Sequence, residues 1–305
     1  MNRSKKRIIY NITKQCPYSC KFCVMDAGPK CRSEELTLGD KIKICENIDI
    51  PNVQIDLSGG EVMLRKADSN EIIDLLSKKF GKENVGISSS GFGIDSEEAA
   101  FLASRVNDVE MTMDSVPEYH YEYRQMLYHA NAAMATDNLK KKDVKVGIQT
   151  VLTRVHYENP DILWDLYGWL RKHEVDEWSL IRYFPSGRGE RYANLELTDK
   201  ENEELVNYIK SLCDKNQKLK LDIHYLLPGS PKSHQCRCVK HSIGILPNGD
   251  VTACFWGLDG TGNIKDSKFY LGNLLEQKLS EILNGPNAVY WENYCGKCPL
   301  SEEDE

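Results

Sequence analysis

Three cysteines lie close together near the N-terminus, at Cys16, Cys20 and Cys23. They follow the β-rich run of residues 7–13, so the sequence places them in a loop after a first strand. Iron–sulfur clusters are held by cysteine thiolates, and four of them fill the ligand positions of a [4Fe–4S] cluster. Three thiolates on one short loop therefore predict a cluster that keeps one iron open for another ligand.

A zinc site and a disulfide framework are the alternative interpretations of these cysteines. Structural zinc sites usually pair cysteines as CxxC with a second pair or with histidines, and the spacing CxxxCxxC differs from that pattern. The chain has 11 cysteines in 305 residues, an odd number at a density well below that of a small disulfide-rich secreted domain. Cluster binding is therefore the favoured interpretation.

Length and composition limit the class of protein. The chain of 305 residues is long enough for one large domain, or for one domain with a smaller appendage. Its formal net charge of −7 argues against a nucleic-acid partner. The sequence has no stretch near the roughly 18 apolar residues of a membrane-spanning helix, and no apolar core of a signal peptide. We expect a cytoplasmic protein with free thiols and no membrane partner.

Short β-rich runs alternate with longer helical stretches up to about residue 183. The predicted strands cover residues 8–13, 52–57, 84–88, 108–114, 144–152 and 177–183. The predicted helices cover residues 36–48, 68–80, 96–105, 160–173 and 198–216. Thr37 is the predicted cap of the first helix, and a further long helical region is expected between the fourth strand and about residue 142. This alternation predicts a parallel sheet with crossover helices, and six such units suit a partial barrel.

Residues able to do chemistry follow the predicted strands. In parallel barrels the active site gathers at the carboxyl ends of the strands. After the cysteine loop, these positions hold residues 58–61 (Ser-Gly-Gly-Glu), 88–91 (Ser-Ser-Ser-Gly), 114–115, Thr150, Arg154, Arg182 and Arg188. Arg182 and Arg188 are candidates for binding a carboxylate, phosphate or hydroxyl-rich substrate, because a guanidinium matches the geometry of such anions.

A second group of cysteines lies near the C-terminus. It comprises Cys236, Cys238, Cys254, Cys295 and Cys298. Asn248 and Gly249 between two apolar runs predict a β-hairpin with cysteines at its base. Four thiolates at these spacings suit an all-cysteine zinc site or a second [4Fe–4S] cluster, and the residues alone do not choose between them.

The spacing CxxxCxxC, with the aromatic Phe22 directly before Cys23, resembles the signature of the radical S-adenosylmethionine (radical SAM) enzymes. In that family the open iron chelates the amino and carboxylate groups of S-adenosylmethionine. An electron from the cluster breaks the sulfonium, and a 5'-deoxyadenosyl radical then takes a hydrogen atom from the substrate. The resemblance implies an α/β fold with a partial (β/α)6 barrel and a flavodoxin- or ferredoxin-type electron donor.

Residues 58–61 look like the GGE motif of that family, with Val62 where proline is more usual. The resemblance implies that this segment holds the methionyl ammonium. Two further residues after later strands are expected to line the cofactor ribose or the substrate. The implied S-adenosylmethionine-binding residues are Ser58, Gly59, Gly60, Glu61, Ser90 and Asp114.

The C-terminal pattern resembles the SPASM and twitch extensions of radical SAM enzymes: a cysteine, a Pro-Asn-Gly hairpin, a second cysteine, the run Gly-Asn-Leu at 272–274, a helix and a cysteine pair. The sequence stops soon after that pair, which implies the twitch form with one auxiliary [4Fe–4S] cluster, similar to the butirosin aminocyclitol dehydrogenase type. The implied ligands are Cys238, Cys254, Cys295 and Cys298, with Cys236 as a spare that could exchange with Cys238. We expect a barrel over residues 1–190, a connecting helix and linker over 191–235, and a small twitch-type hairpin/helix domain over 236–305.

An auxiliary cluster with four protein thiolates has no open site and can only transfer electrons. We therefore expect net oxidation, in which the substrate radical gives an electron to the auxiliary cluster and a proton to a base. Dehydrogenation of a carbinol in natural-product or sugar/aminocyclitol metabolism is an example. Asp114, His120, Glu122 and His156 are candidate bases, and Asp114 and Arg182 are predicted catalytic residues.

Three other functions stay open. In a radical epimerase a spare thiol returns a hydrogen atom, and Cys236 is the catalytic candidate. The other spare cysteines, which we expect mostly to be buried packing residues, are Cys31, Cys45 and Cys213. A peptide-modifying enzyme would take a ribosomal peptide instead of a small molecule, although a first strand near residue 8 argues against an N-terminal peptide-binding domain. A non-catalytic zinc- or cluster-binding module has no use for the GGE motif.

Overall fold

The computed structural model describes residues 5–30, 35–213, 218–231 and 235–300. Within these ranges ten strands form a single sheet, in the order β10-β9-β8-β1-β2-β3-β4-β5-β6-β7. The strands are β1 Lys6–Asn11, β2 Val53–Ser58, β3 Val85–Ser89, β4 Asp108–Thr112, β5 Lys145–Leu152, β6 Glu177–Arg182, β7 Lys220–Ile223, β8 Ser242–Ile245, β9 Asp250–Thr252 and β10 Tyr270–Asn273.

Strands β1 to β7 are parallel, and each pairs with the next in sequence. The helices of the described chain are α1 Leu38–Asn47, α2 Lys66–Phe80, α3 Ser96–Ala103, α4 Tyr128–Lys140, α5 Arg154–Glu158, α6 Asp161–Lys172, α7 Asp199–Cys213, α8 Leu279–Ile282 and α9 Pro286–Asn293. Apolar side chains of strands and helices form one buried core, including Ile8, Ile55, Ile87 and Ile148. The predicted parallel α/β fold is confirmed.

Two sequence predictions about the elements are wrong. The long helix expected after β4 begins only at Tyr128, because Pro117 lacks a backbone N–H and Leu127 is left-handed with φ +69°. Residues 113–127 form a loop instead. Strand β7 was also not predicted: it has four residues, pairs in parallel with β6 and follows β6 as the seventh strand of the consecutive parallel set. A strand this short has too few alternating residues for a periodicity signal.

The predicted cap and hairpin are confirmed. Thr37 accepts a hydrogen bond from the backbone N–H of Asp40 at the start of α1. Strands β8 and β9 form the antiparallel hairpin, and Gly249 in its turn has φ +87°. Strand β8 pairs in parallel with β1, so the sheet runs without a break into the predicted C-terminal domain. The division at residues 190 and 235 stays a prediction, and β7 lies inside the segment predicted as a connecting helix and linker.

Two further expectations concern burial and membranes. Cys45 and Cys213 are buried packing residues, as predicted, whereas Cys31 lies outside the described residues. Across the described ranges we find no helix with the length and apolar character needed to cross a bilayer.

Candidate active site

A cavity of about 720 Å³ lies at the carboxyl ends of the strands and continues along the barrel axis. Its wall includes all three cysteines of the N-terminal loop and two of the C-terminal set. The predicted site residues that line it are Cys16, Cys20, Cys23, Ser58, Gly59, Gly60, Ser90, Arg182, Cys238 and Cys254. The fold therefore brings to one cavity residues that are more than 200 positions apart in the sequence.

The cysteine loop is held by its own backbone. The N–H of Cys16 donates to the carbonyl of Gly28, and the N–H of Asp26 donates to the carbonyl of Cys23. Burial raises the pKa of the Cys16 and Cys23 thiols, and binding of a metal favours their thiolate forms. Three sulfur donors on one closed loop, facing a cavity, match the donor set of a cluster with an open iron.

Arg188 fastens this loop to the segment after β6. Its three guanidinium nitrogens donate to the carbonyl of Cys20 at 2.7 Å, the carbonyl of Ala27 at 2.6 Å and the carboxylate of Asp26 at 2.8 Å. Gly187 makes this approach possible, because its φ is +58° and a Cβ there would lie 2.1 Å from the carbonyl oxygen of Val24. The expectation that Arg188 binds a substrate anion is wrong, since its nitrogens already serve the cysteine loop.

Gly59 and Gly60 pack against the chain just before the cysteines. The N–H of Gly60 donates to the carbonyl of Thr13 at 2.7 Å, and a Cβ on Gly60 would lie 2.2 Å from the carbonyl oxygen of Gln15. A Cβ on Gly59 would lie 2.6 Å from the carbonyl oxygen of Thr13. The two glycines thus fix the base of the cysteine loop, while their other side faces the cavity.

The carboxylate of Glu61 is fully buried and links the turns after β2 and β3. It accepts hydrogen bonds from the hydroxyl of Ser89 at 2.8 Å and the N–H of Ser90 at 2.8 Å, and it also pairs with the Ser90 hydroxyl. It caps the following 3₁₀ turn through the N–H of Met63 at 2.9 Å. Burial raises the pKa of Glu61, although these donors oppose the shift. Binding of a ligand ammonium by Glu61 stays a prediction, whereas its internal contacts are present in the structure.

Asp114 lies in a closed ion pair and not on the cavity wall. Its carboxylate accepts from Arg124 at 2.6 Å and from the N–H of Val151 at 3.0 Å, and the side chain is inaccessible to solvent. Burial alone would raise the pKa of Asp114, but Arg124, His129 and His156 outweigh it and lower the pKa. The prediction that Asp114 contacts cofactor or substrate is not supported, because both carboxylate oxygens are used inside the protein.

The other candidate bases also lie off the cavity. His156 is fully buried, with Nε2 on the carbonyl of Asp114 at 2.8 Å and Nδ1 on Thr153. Burial lowers the pKa of His156 and keeps it neutral. His120 is exposed, and Glu122 is exposed and pairs with Lys21 at 3.3 Å. Neither lines the cavity described above.

Arg124 is a site residue that the sequence analysis missed. It lines the cavity, and its guanidinium lies over the rings of Phe22 at 4.4 Å and Tyr128 at 4.8 Å. The pairing with Asp114 raises its pKa further above the usual value although burial opposes this, and Cys20 acts in the same direction. The only sequence feature that could have indicated this residue was its position ten residues after Asp114, and the incorrect prediction of a helix in this segment concealed it.

Arg182 lies at the end of β6 on the cavity wall. One terminal nitrogen donates to Asp199 at 2.7 Å and to the carbonyl of Leu226 at 3.3 Å. Its buried Nε has no hydrogen-bond partner within the described residues. Arg182 thus lies on the cavity wall with part of its guanidinium already paired, and its predicted catalytic role stays a prediction.

Four buried thiols of the C-terminal set lie near one another around Tyr225: Cys236, Cys238, Cys254 and Cys298. The Cys238 thiol donates to Cys236, which lowers the pKa of Cys236 and raises that of Cys238. Cys295 is exposed, and its sulfur lies 3.5 Å from Nζ of Lys240. The structure therefore groups the predicted spare Cys236 with three predicted ligands and places the fourth predicted ligand at the surface.

Comparison with protein-family models identifies the family to which these cysteine sites belong. Residues 10–170, more than half of the chain, match the family model of the radical SAM superfamily. The chain belongs to the radical SAM superfamily. Residues 236–299 match the SPASM model, described as an iron-sulfur cluster-binding domain. The radical SAM resemblance and its SPASM/twitch subgroup are confirmed, and the C-terminal cysteines belong to an iron–sulfur domain and not to a zinc site.

Three curated relatives show how far the sequence similarity extends. The GTP 3',8-cyclase of Actinobacillus pleuropneumoniae is 21% identical over 40% of this chain and 37% of its own length. The pre-heme d1 synthase of Dinoroseobacter shibae is 25% identical over 61% of this chain and 46% of its own length, so these two matches span less than half of each relative. The PqqA peptide cyclase of Xanthomonas axonopodis pv. citri is 23% identical over 97% of this chain and 81% of its own length.

Solved structures show the fold over almost the whole chain. Native anSMEcpe with bound AdoMet and Cp18Cys peptide matches with a TM-score of 0.72 and 16% identity, covering 99% of this chain and 91% of that chain. Streptococcus suis SuiB bound to precursor peptide SuiA matches with a TM-score of 0.72 and 15% identity, covering 96% and 67%. At these identities the likeness establishes the architecture of the sheet and helices.

The radical SAM domain binds S-adenosylmethionine and a [4Fe–4S] cluster, and the SPASM domain binds auxiliary iron–sulfur clusters. The residues of this chain fit these groups, because three thiols face the cavity at one end and further buried thiols meet it at the other. When bound, the N-terminal cluster and S-adenosylmethionine supply a 5'-deoxyadenosyl radical for hydrogen abstraction. The chain itself holds the cysteine loop through Arg188, Gly59 and Gly60.

Proposed function

We propose that this radical SAM enzyme modifies a peptide. The observation that carries the proposal is the match to the PqqA peptide cyclase, which extends over 97% of this chain and 81% of that protein. The relatives named for small molecules match only part of their length. Peptide modification was the alternative to dehydrogenation of a sugar or aminocyclitol, and the comparisons favour it over that main expectation.

The residues that line the cavity support a peptide substrate. Its lining combines aromatic side chains with arginines: Phe22, Tyr128, Tyr183, Phe184, Tyr225 and Trp256 with Arg124, Arg182 and Arg237. This mixture suits a chain of amino acids, because guanidinium groups donate to backbone carbonyls and carboxylates and aromatic faces pack against side chains.

Two outcomes of peptide modification are compatible with these residues. Oxidative crosslinking or dehydrogenation needs an electron acceptor, and the SPASM domain supplies one beside the cavity through Cys238 and Cys254. Epimerisation needs a thiol on the cavity wall as hydrogen donor. Cys236, the predicted donor, does not line the cavity, so we favour the oxidative outcome.

The test uses the full chain, reconstituted anaerobically with iron and sulfide, reduced and supplied with S-adenosylmethionine. A translated library of short random peptides is compared with a panel of sugars and aminocyclitols, and 5'-deoxyadenosine is measured by mass spectrometry. We expect peptides, and not the small molecules, to stimulate 5'-deoxyadenosine formation and to lose two mass units. A variant with Cys16, Cys20 and Cys23 replaced by alanine is the control and should form none. Stimulation by an aminocyclitol alone would overturn the proposal.

A further inference from the structure

Tyr225 connects the substrate cavity with the C-terminal cysteines. It follows β7, the seventh strand of the consecutive parallel set β1 to β7, and its side chain lines the cavity. Its ring packs in a small apolar cluster with Phe184, Leu226 and Cys298. The guanidinium of Arg237, which lies between Cys236 and Cys238 in the sequence, is 4.7 Å from the ring centroid. Tyr225 therefore brings the end of the barrel sheet against the cysteine loop before β8.

Tyr225 lies close to the C-terminal cysteines: it packs in the same apolar cluster as Cys298 and lines the same cavity as Cys238 and Cys254. Burial raises the pKa of Tyr225 most, and Cys298, Cys254, Cys238 and Cys236 raise it further in that order. These four thiols come from three separate segments of the chain, at residues 236–238, 254 and 298. A protonated phenol is a hydrogen-bond donor, and a thiolate sulfur is an acceptor.

We propose that Tyr225 tunes the auxiliary iron–sulfur cluster from the cavity side: its hydroxyl donates a hydrogen bond to a cluster-bound thiolate. Hydrogen bonds to the sulfurs are one of the determinants of the reduction potential of iron–sulfur clusters. A donor stabilises the reduced form, which carries more negative charge, and so raises the potential. Arg237, stacked on the same ring, acts in the same direction through its positive charge.

This hydrogen bond affects the transfer of an electron between the substrate and the auxiliary cluster. A higher potential makes the auxiliary cluster a better acceptor for an electron that leaves the substrate. Because Tyr225 also lines the cavity, bound substrate contacts the residue that sets this potential. The inference depends on the iron–sulfur domain of the family and not on whether the substrate is a peptide, so its test is independent of the proposed function.

The test measures the auxiliary cluster alone, in full-length protein with Cys16, Cys20 and Cys23 replaced by alanine. An EPR-monitored redox titration compares this protein with Tyr225→Phe and with Tyr290→Phe, whose side chain is exposed on α9. We expect Tyr225→Phe to lower the midpoint potential by about 59 mV, a tenfold change in a one-electron equilibrium. Tyr290→Phe should leave the potential unchanged.

Two results would overturn the inference. One is equal potentials in the two variants. The other is loss of iron from Tyr225→Phe, which would make the residue a structural support. A second measurement is ENDOR spectroscopy of the reduced cluster after exchange into D₂O. The protein that retains Tyr225 should show one exchangeable proton coupling that Tyr225→Phe lacks, and identical spectra would also contradict the hydrogen bond.

Discussion

Nε of Arg124 lies 2.6 Å from Oδ2 of Asp114, and this buried ion pair holds the guanidinium over the ring of Phe22 in the cysteine loop. The carboxylate comes from the end of β4 and the ring from the loop after β1, so the pair joins two strand ends. Asp114 also bonds the N–H of Val151 at the end of β5. An aspartate predicted to act on substrate instead supports the wall that faces the substrate.

We expect Asp114→Asn to destabilise the protein by about 3 kcal/mol, because it leaves the charge of Arg124 buried without its partner. The pKa of Asp114 lies below its ordinary value of 3.8, so its stabilisation is present above that pH and is lost as the pH falls through the lower folded-state pKa. Urea unfolding at pH 7 and at decreasing pH measures both effects. Glu122→Gln, which breaks the exposed pair with Lys21, should cost less than about 1 kcal/mol. Equal costs for the two variants would contradict this account.

Glu110 on β4 makes the stability of the protein depend on pH in the sense opposite to that of Asp114. Burial raises the pKa of Glu110 from 4.5 to about 7, and Arg7, Gln149 and Ser179 only partly oppose it. The folded state binds this proton more tightly, so stability is highest below pH 4.5 and falls as the pH rises towards 7. The charge of nearby Asp56 acts in the same direction as burial.

Glu110→Gln should remove this loss of stability at higher pH. We expect the variant and the wild type to have similar unfolding free energies near pH 4.5, and the variant to be more stable by up to about 3 kcal/mol at pH 8. Urea unfolding at half-unit pH steps tests this expectation. The exposed Glu71→Gln is the matched control and should leave the pH profile unchanged. Parallel profiles for all three proteins would show that Glu110 does not titrate in this range.

The features of the fold that depend on local spacing and periodicity were predictable from the sequence. The alternation of strands and helices, the cap at Thr37 and the hairpin turn at Gly249 involve residues close in the chain, and the structure contains all three. The N-terminal and C-terminal cysteines were recognised because a cluster requires grouped thiols, and the family models agree. The gathering of the N-terminal cysteines with residues 58–60 and Ser90 at one cavity followed from the rule that strand ends share one side of a barrel, whereas the presence of Cys238 and Cys254 on that cavity was not predicted.

The remaining errors concern partners that are distant in sequence. Arg188 lies more than 160 positions from the carbonyls it binds, and no local pattern distinguishes it from a surface arginine. Asp114 resembled a family motif, but its burial depends on Arg124 in a loop that was predicted to be helical. Tyr225 follows a strand too short to predict, so its contact with the cysteines was not accessible from sequence either.

Arg188→Gln should weaken the N-terminal cluster site. The substitution removes the fork of donors that joins Cys20, Asp26 and Ala27, and lysine cannot replace it because one ammonium cannot reach three separate acceptors in that geometry. We expect iron after reconstitution to fall from about eight towards about four per chain, as loss of one of two four-iron clusters requires. Arg191→Gln, at an exposed position three residues later, is the control and should keep full iron. Full iron in Arg188→Gln would show that the loop keeps its shape without the clamp.

The ligand set of the auxiliary cluster is decided by comparing Cys236→Ala with Cys295→Ala. The family pattern implies Cys295, whereas the structure groups Cys236 with Cys238 through a thiol hydrogen bond and leaves Cys295 exposed beside Lys240. Because Cys236 is buried beside Cys238 and Cys295 is exposed, we expect Cys236→Ala to lose about four irons and Cys295→Ala to lose none. Iron and sulfide analysis in the background that lacks the N-terminal cysteines makes the difference all-or-none. Loss of iron from Cys295→Ala with retention in Cys236→Ala would instead establish the family pattern, and would require the 295–298 loop to fold inward when the cluster binds.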